Sequence, residues 1–105
     1  MNMKDVFVVT KSEKYKNDTI TIVSCVFWRY SQAKDWALHC VLDYIKTHPG
    51  FRVRVNSLPD EGDPDVRVKT ILGCVHASDT ATGNSVSYSV WNETILGRPN
   101  EKEST

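Results

Sequence analysis

The chain has no excess of either charge. Lysine plus arginine and aspartate plus glutamate each number 13, giving a formal net charge of +0. No global field draws it to nucleic acid or to an anionic membrane, so only local patches remain for such contacts. Apolar runs are short, and none approaches the roughly 20 residues that cross a bilayer. No membrane partner is expected. Cysteine is scarce and odd in number, at 3. Cys25, Cys40 and Cys74 sit in apolar contexts and do not form a disulfide framework. The opening Met-Asn-Met-Lys-Asp has no apolar targeting region, so a cytoplasmic location is expected, the host cytoplasm if the protein is viral. Asn17-Asp18-Thr19 and Asn92-Glu93-Thr94 match the glycosylation pattern, and without a secretory signal both read as chance. There is no glycine-rich phosphate loop, no Gly-x-Ser-x-Gly and no His-Glu-x-x-His. An enzyme is not expected, and no cofactor is implied.

What the chain does have is one strong helix signal among short strands. Ser31 to Gly50 opens on a hydroxyl that can serve as N-cap and closes on His48-Pro49-Gly50, a stop signal. Lys34 stands where a capping box would carry Glu or Gln, so the box is incomplete. At about 100° per residue, Ala33, Trp36, Ala37, Cys40, Val41 and Tyr44 form one apolar face. Gln32, Asp35, His39, Asp43 and Lys46 form the opposite one. Leu38, Leu42 and Ile45 spread onto a shoulder, which is either covered by a loop or is a contact surface.

The strands follow in order. Val6–Thr10 reads as a central strand, Lys11–Asp18 as an exposed turn, and Thr19–Trp28 as a second strand forming an antiparallel hairpin with the first. Parity sets Thr21, Val23, Cys25 and Phe27 against Ile20, Ile22, Ser24, Val26 and Trp28, with apolar groups on both faces, so the strand is expected to be buried on both faces for part of its length. Phe51–Asn56 alternates, with Arg52 and Arg54 outward. Pro59–Asp65 is an acidic turn, and Val66–Lys69 resumes the alternation as a strand. Gly73 marks a bulge or bend. Ser85–Trp91 is the last strand, with Val86, Tyr88 and Val90 inward and serines outward. The expected fold is α+β, a two-layer sandwich of about five antiparallel strands and one long helix in the order ββαβββ. At 105 residues the chain is one domain, spanning 1–97, with a flexible polar tail at 98–105.

Several of these features resemble a group of small phage-borne and bacterial proteins of unknown function. The shared features are a first strand like Phe7-Val8-Val9-Thr10, a charged hairpin turn, and a second strand ending near Val26-Phe27. A helix anchored by small residues follows, here Ala33 and Ala37, and Val90-Trp91-Asn92-Glu93 is similar in style to the group's last strand. The helix entry Trp28-Arg29-Tyr30-Ser31 and the Phe51–Val75 hairpin depart from the pattern. The resemblance carries no catalytic residue. It implies a viral or mobile-element accessory protein.

Four constellations merit structural attention. Cys74 and His76 are two apart on a strand, and with Cys25 and Cys40 they make a four-ligand zinc candidate. The alternative is core cysteines, which pack as small apolar groups. The same Cys74 and His76 are the one Cys–His pair whose spacing suits nucleophilic catalysis. Arg52, Arg54, Arg67 and Lys69 would share a sheet face if their strands pair, a candidate nucleic-acid or nucleotide surface with Trp28, Tyr30 and Trp91 available for stacking. The alternative is a solvated face. Asp60, Glu61, Asp63 and Asp65 form an acidic loop able to enter a basic groove of a partner, or simply to solubilise a turn. With the shoulder of Leu38, Leu42 and Ile45, suited to a homodimer or a target, they are the candidate partner-binding residues. The reading is a non-enzymatic binding protein engaging a host protein or a second copy of itself, with nucleic-acid binding as the alternative.

Overall fold

A computed structural model describes residues 3–56 and 58–96. Five strands and one long helix run in the order β1 (Met3–Tyr15), β2 (Asp18–Phe27), α1 (Tyr30–Thr47), β3 (Arg52–Asn56), a helical turn α2 (Asp65–Val68), β4 (Ile71–Ser78) and β5 (Ser85–Leu96). The strands make one sheet in the order β2-β1-β5-β4-β3, and every neighbouring pair is antiparallel. The fold is α+β, with α1 packed on one face of the sheet. No described helix is long and apolar enough to cross a membrane.

The helix sits close to the sheet because its contact stripe is small. Ala33, Ala37 and Val41 are fully buried, and Tyr30 is 1% exposed. They meet Phe7 and Val9 of β1, Val75 and Ala77 of β4, and Val86, Tyr88 and Val90 of β5 in one core. The stripe is centred on Ala37 and Val41. Trp36, expected in the middle of it, lies at its flank and is 36% exposed. From there the indole reaches over β2, donating to Ser24 Oγ at 3.0 Å and lying 6.1 Å from the Phe27 ring. On the other flank, Leu38 and Ile45 are partly buried against the core. The helix begins one residue before Ser31. Arg29 is the N-cap in extended conformation, and no side chain caps the end.

Three corrections concern strands. Lys11–Asp18 is not an exposed turn: β1 runs on to Tyr15, β2 starts at Asp18, and only Lys16 and Asn17 form the turn. Val66–Lys69 is not a strand: Asp65–Val68 forms a helical turn entered from Pro64, which turns Val66 into the core and leaves Val68 76% exposed. The β2 parity also changes midway. The register moves from Val9↔Cys25 to Thr10↔Val23, so Ser24 is an extra residue opposite the bond between them. The bulge places Ile20 and Ile22 on the same side as Cys25 and Phe27. β2 is an edge strand, exposed over Asp18–Val23, not a strand buried on both faces. The expected irregularity at Gly73 is present, with a register shift beside it and a φ of 147°, a value glycine reaches without a side-chain clash. The expected tail at 98–105 lies outside the described residues.

Candidate functional surface

Among the described residues, a helix packs on only one face of the sheet. The register defines the other face as rows running across the strands. The first row is Val26, Val8, Trp91 and Ile71. Next comes Val23, Thr10, Ser89, Cys74 and Asn56, then Thr21, Ser12, Ser87, His76 and Arg54. The last is Thr19, Lys14, Ser85, Ser78 and Arg52. The face therefore grades from apolar, through hydroxyl-rich, to basic. These four rows contain no aspartate or glutamate, and the same alternation continues past the apolar row to Val6 opposite Glu93, which places one carboxylate beside it.

Local bonding orders the side chains of this surface. Trp91 Nε1 donates to Thr10 Oγ1 at 2.9 Å, which lays the indole along the sheet. Ser12 and Thr21 share a hydroxyl–hydroxyl bond of 2.9 Å. Val26 and Ile71, at opposite ends of the apolar row, are 53% and 57% exposed. At the basic end, a recess of about 520 Å³ is lined by Arg52, Val53, Arg54, His76, Ser78 and Thr80.

The four expected cations do not come together. β3 pairs with β4, which sets Arg54 opposite His76 and Arg52 opposite Ser78. Arg67 is on α2, lining a cleft with Asp5, Trp28, Arg29 and Glu61. Lys69 follows α2 and bonds Asp65 Oδ2 at 3.1 Å. Lys14 and His76 take their places on the face. The signal for Lys14 was its parity with Val8 and Thr10. Of the expected stacking groups, Tyr30 is buried, and Trp28 lies near the Lys4 ammonium, 5.5 Å from its ring centroid. Trp91 alone lies within the rows.

The acidic loop is partly committed to structure. Asp63 Oδ1 accepts the Asp65 amide at 2.9 Å, and Asp60 Oδ1 lies 3.6 Å from Lys34 Nζ. The base of the loop is pinned where the Tyr30 hydroxyl and Lys34 Nζ both donate to the Pro59 carbonyl, at 2.6 and 3.2 Å. Burial, then the charges of Asp60, Glu61 and Asp63, push the Tyr30 phenol up to about 12. Asp60 and Glu61 remain exposed. Of the helix shoulder, Leu42 is 50% exposed, while Leu38 and Ile45 are largely turned into the fold.

The candidate metal ligands are divided by the sheet. Cys74 and His76 are on the open face, where Asn56 Nδ2 approaches Cys74 Sγ at 3.7 Å. Cys25 pairs with the core residue Val9 on the helix side, and Cys40 packs against the core from α1. Burial raises the Cys40 thiol above its ordinary range. Among the described residues, no group of three or more His, Cys, Asp and Glu is arranged to hold a metal ion.

One polar cluster was not anticipated. Lys11 and Glu13 continue the parity of Phe7 and Val9, which places them under the helix. Lys11 Nζ lies 3.6 Å from Glu13 Oε1, near the rings of Tyr44 and Tyr88. Tyr15 donates to Glu13 at 2.7 Å and meets the Tyr44 hydroxyl at 3.2 Å. The cluster satisfies its own charges and ties the hairpin to the end of α1. No protein-family model, curated protein or solved structure matches the chain.

Proposed function

We propose that the chain is a non-enzymatic binding domain, an accessory protein of the phage or viral kind that engages a protein partner through the uncovered sheet face. The observation that carries this reading is the gradient across that face. An apolar row around Trp91 adjoins hydroxyl rows that end in Lys14, Arg52, Arg54 and His76, while Glu93 lies on the far side of the apolar row, away from the cations. Protein interfaces join an aromatic or apolar centre to a polar rim, with arginine enriched and charge kept from the centre. The fitting partner presents an apolar patch flanked by carboxylates. Asp60 and Glu61 lie in the loop between β3 and α2, outside these rows.

The test uses tagged protein as bait in nuclease-treated lysate of the host. Val26→Asp with Ile71→Asp replaces exposed side chains, so the fold should persist by circular dichroism. The double variant should lose a protein that the wild type retains, and Arg52→Glu with Arg54→Glu should weaken its retention. Equal retention by all three proteins refutes the reading.

A second reading has its own support in the same basic rows, which suit a phosphate backbone. Lys14, Arg52 and Arg54 are then the contacts, and Arg67 and Lys69 take no part. With three cations engaged, the logarithm of affinity for duplex DNA should fall with the logarithm of salt at a slope of about −3. Capture that disappears on nuclease treatment favours this reading over the first.

A further inference from the structure

The two edges of the sheet differ in one respect that bears on assembly. An exposed edge offers unpaired amides and carbonyls, and proteins guard such edges with charge, proline or brevity. β3 is guarded, being 5 residues long and carrying Arg52 and Arg54. From Thr19 to Phe27, β2 carries neither a charge nor a proline. Apolar side chains stand open to water on both faces: Ile20 is 60% and Ile22 53% exposed on the helix side, and Val23 is 62% exposed on the open side beside Thr19 and Thr21. The Ser24 bulge interrupts the strand only beyond Val23.

We propose that β2 pairs with β2 of a second copy, antiparallel across a two-fold axis at Thr21, joining two sheets into one. The register follows from the hairpin. Tyr15 pairs with Asp18 across a two-residue loop, and such a loop is closed by a hydrogen-bonded pair. Alternation then directs the amides of Ile20 and Ile22 toward β1 and those of Thr19, Thr21 and Val23 outward. Pairing Thr21 with its own copy, and Thr19 with the second copy's Val23, closes about six backbone hydrogen bonds.

That register also matches the faces. Ile20 of each chain meets Ile22 of the other on the helix side, while Thr19, Thr21 and Val23 meet their counterparts on the open side. No like charges oppose one another, as they would if β3 paired with itself. A second copy therefore fits this edge better than a strand of arbitrary sequence. The apolar side chains contribute on the order of 200 Å² per chain. A standard interface takes about 800 Å² from each partner, so the dimer belongs to the weak, concentration-dependent class. The pairing leaves both uncovered faces on one side and both helices on the other.

Sedimentation equilibrium of the pure protein from about 5 to 500 μM spans the weak range set by this area. The mass should rise from 11.9 kDa toward twice that value. Ile20→Lys with Ile22→Lys, at exposed positions, should hold the mass at 11.9 kDa throughout while circular dichroism shows an intact fold. Leu42→Asp should dimerise as the wild type does. Hydrogen exchange should show the amides of Thr19, Thr21 and Val23 at least tenfold slower at the highest concentration than at the lowest. A wild type that stays monomeric overturns the proposal, as would a double-lysine variant that still dimerises or exchange at those amides that ignores concentration. None of these measurements involves the proposed host partner, so the two ideas fail separately.

Discussion

Tyr30→Phe isolates one hydrogen bond at the junction of α1 and the acidic loop. The ring is 1% exposed and packs edge-on against Phe7 at 5.9 Å, which phenylalanine preserves. What is lost is the 2.6 Å donation to the Pro59 carbonyl. That carbonyl keeps a second donor, Lys34 Nζ at 3.2 Å. Tyr30→Phe should therefore cost only about 1 kcal/mol, the ordinary net worth of a hydrogen bond. Lys34→Met should cost about as much for the same reason. Its Asp60 ion pair adds little, because the Asp60 side chain is 98% exposed. The double variant removes both donors and leaves the half-buried Pro59 carbonyl without a protein partner. The combined loss should exceed the sum of the singles by about 1 kcal/mol, a coupling readable in a double-mutant cycle. In thermal melts, a domain of this size should lose roughly 5 °C for each single variant and roughly 15 °C for the double. Single losses that add to within about 0.5 kcal/mol mean that water satisfies the carbonyl, and refute the argument.

Two further predictions follow from the same core. The Tyr30 phenol ionises near 12 in the fold against 10.0 for the free group, so the fold favours its neutral form. That contribution is fully present below pH about 10 and is lost as pH rises through about 12. Urea unfolding at alkaline pH should show the wild type losing more stability than Tyr30→Phe over that window, and parallel curves would refute it. Ala37→Leu should destabilise by about 1–3 kcal/mol in thermal or urea unfolding, because the helix meets the sheet through a fully buried methyl group. A rise in stability there, as added apolar burial alone favours, would show that the layers are not so closely packed.

The sheet and helix were legible because their signals are strong and local. Phe51–Asn56 and Ser85–Trp91 alternate, and α1 has a period near 3.6 with a clear stop. The hairpin of β1 and β2 follows from two β-rich runs around a charged stretch, although most of that stretch, Lys11–Tyr15, extends β1 and is not turn. Val66–Lys69 misled because four alternating residues fit a strand and a single helical turn equally well. The local signs of the turn are Pro64 at its N-cap and Asp63 before it, whose carboxylate accepts the Asp65 amide. Trp36 misled for a different reason. Helical angle gives the direction of a side chain, but not whether the opposing sheet extends beneath it, and this one lies toward the edge strand.

The candidate surface depended on pairing, which composition does not encode. Assigning β3 to Val66–Lys69 placed four cations together, and assigning it to β4 keeps Arg52 and Arg54 but exchanges the others for Lys14 and His76. The helix shoulder looked exposed because a helix read alone has no neighbours, while in the fold Leu38 and Ile45 find the core. The decisive hidden element is a single residue. Without the Ser24 bulge, a strict period of two would carry Ile20 and Ile22 to the open face once Cys25 and Phe27 were fixed inward. With it, the apolar surface of β2 divides, with isoleucines beside the helix layer and Val23 and Val26 on the open side. A strand apolar on both faces needs cover on both. One helix supplies part of that on one side, and a neighbouring strand at the edge would lend side chains to both.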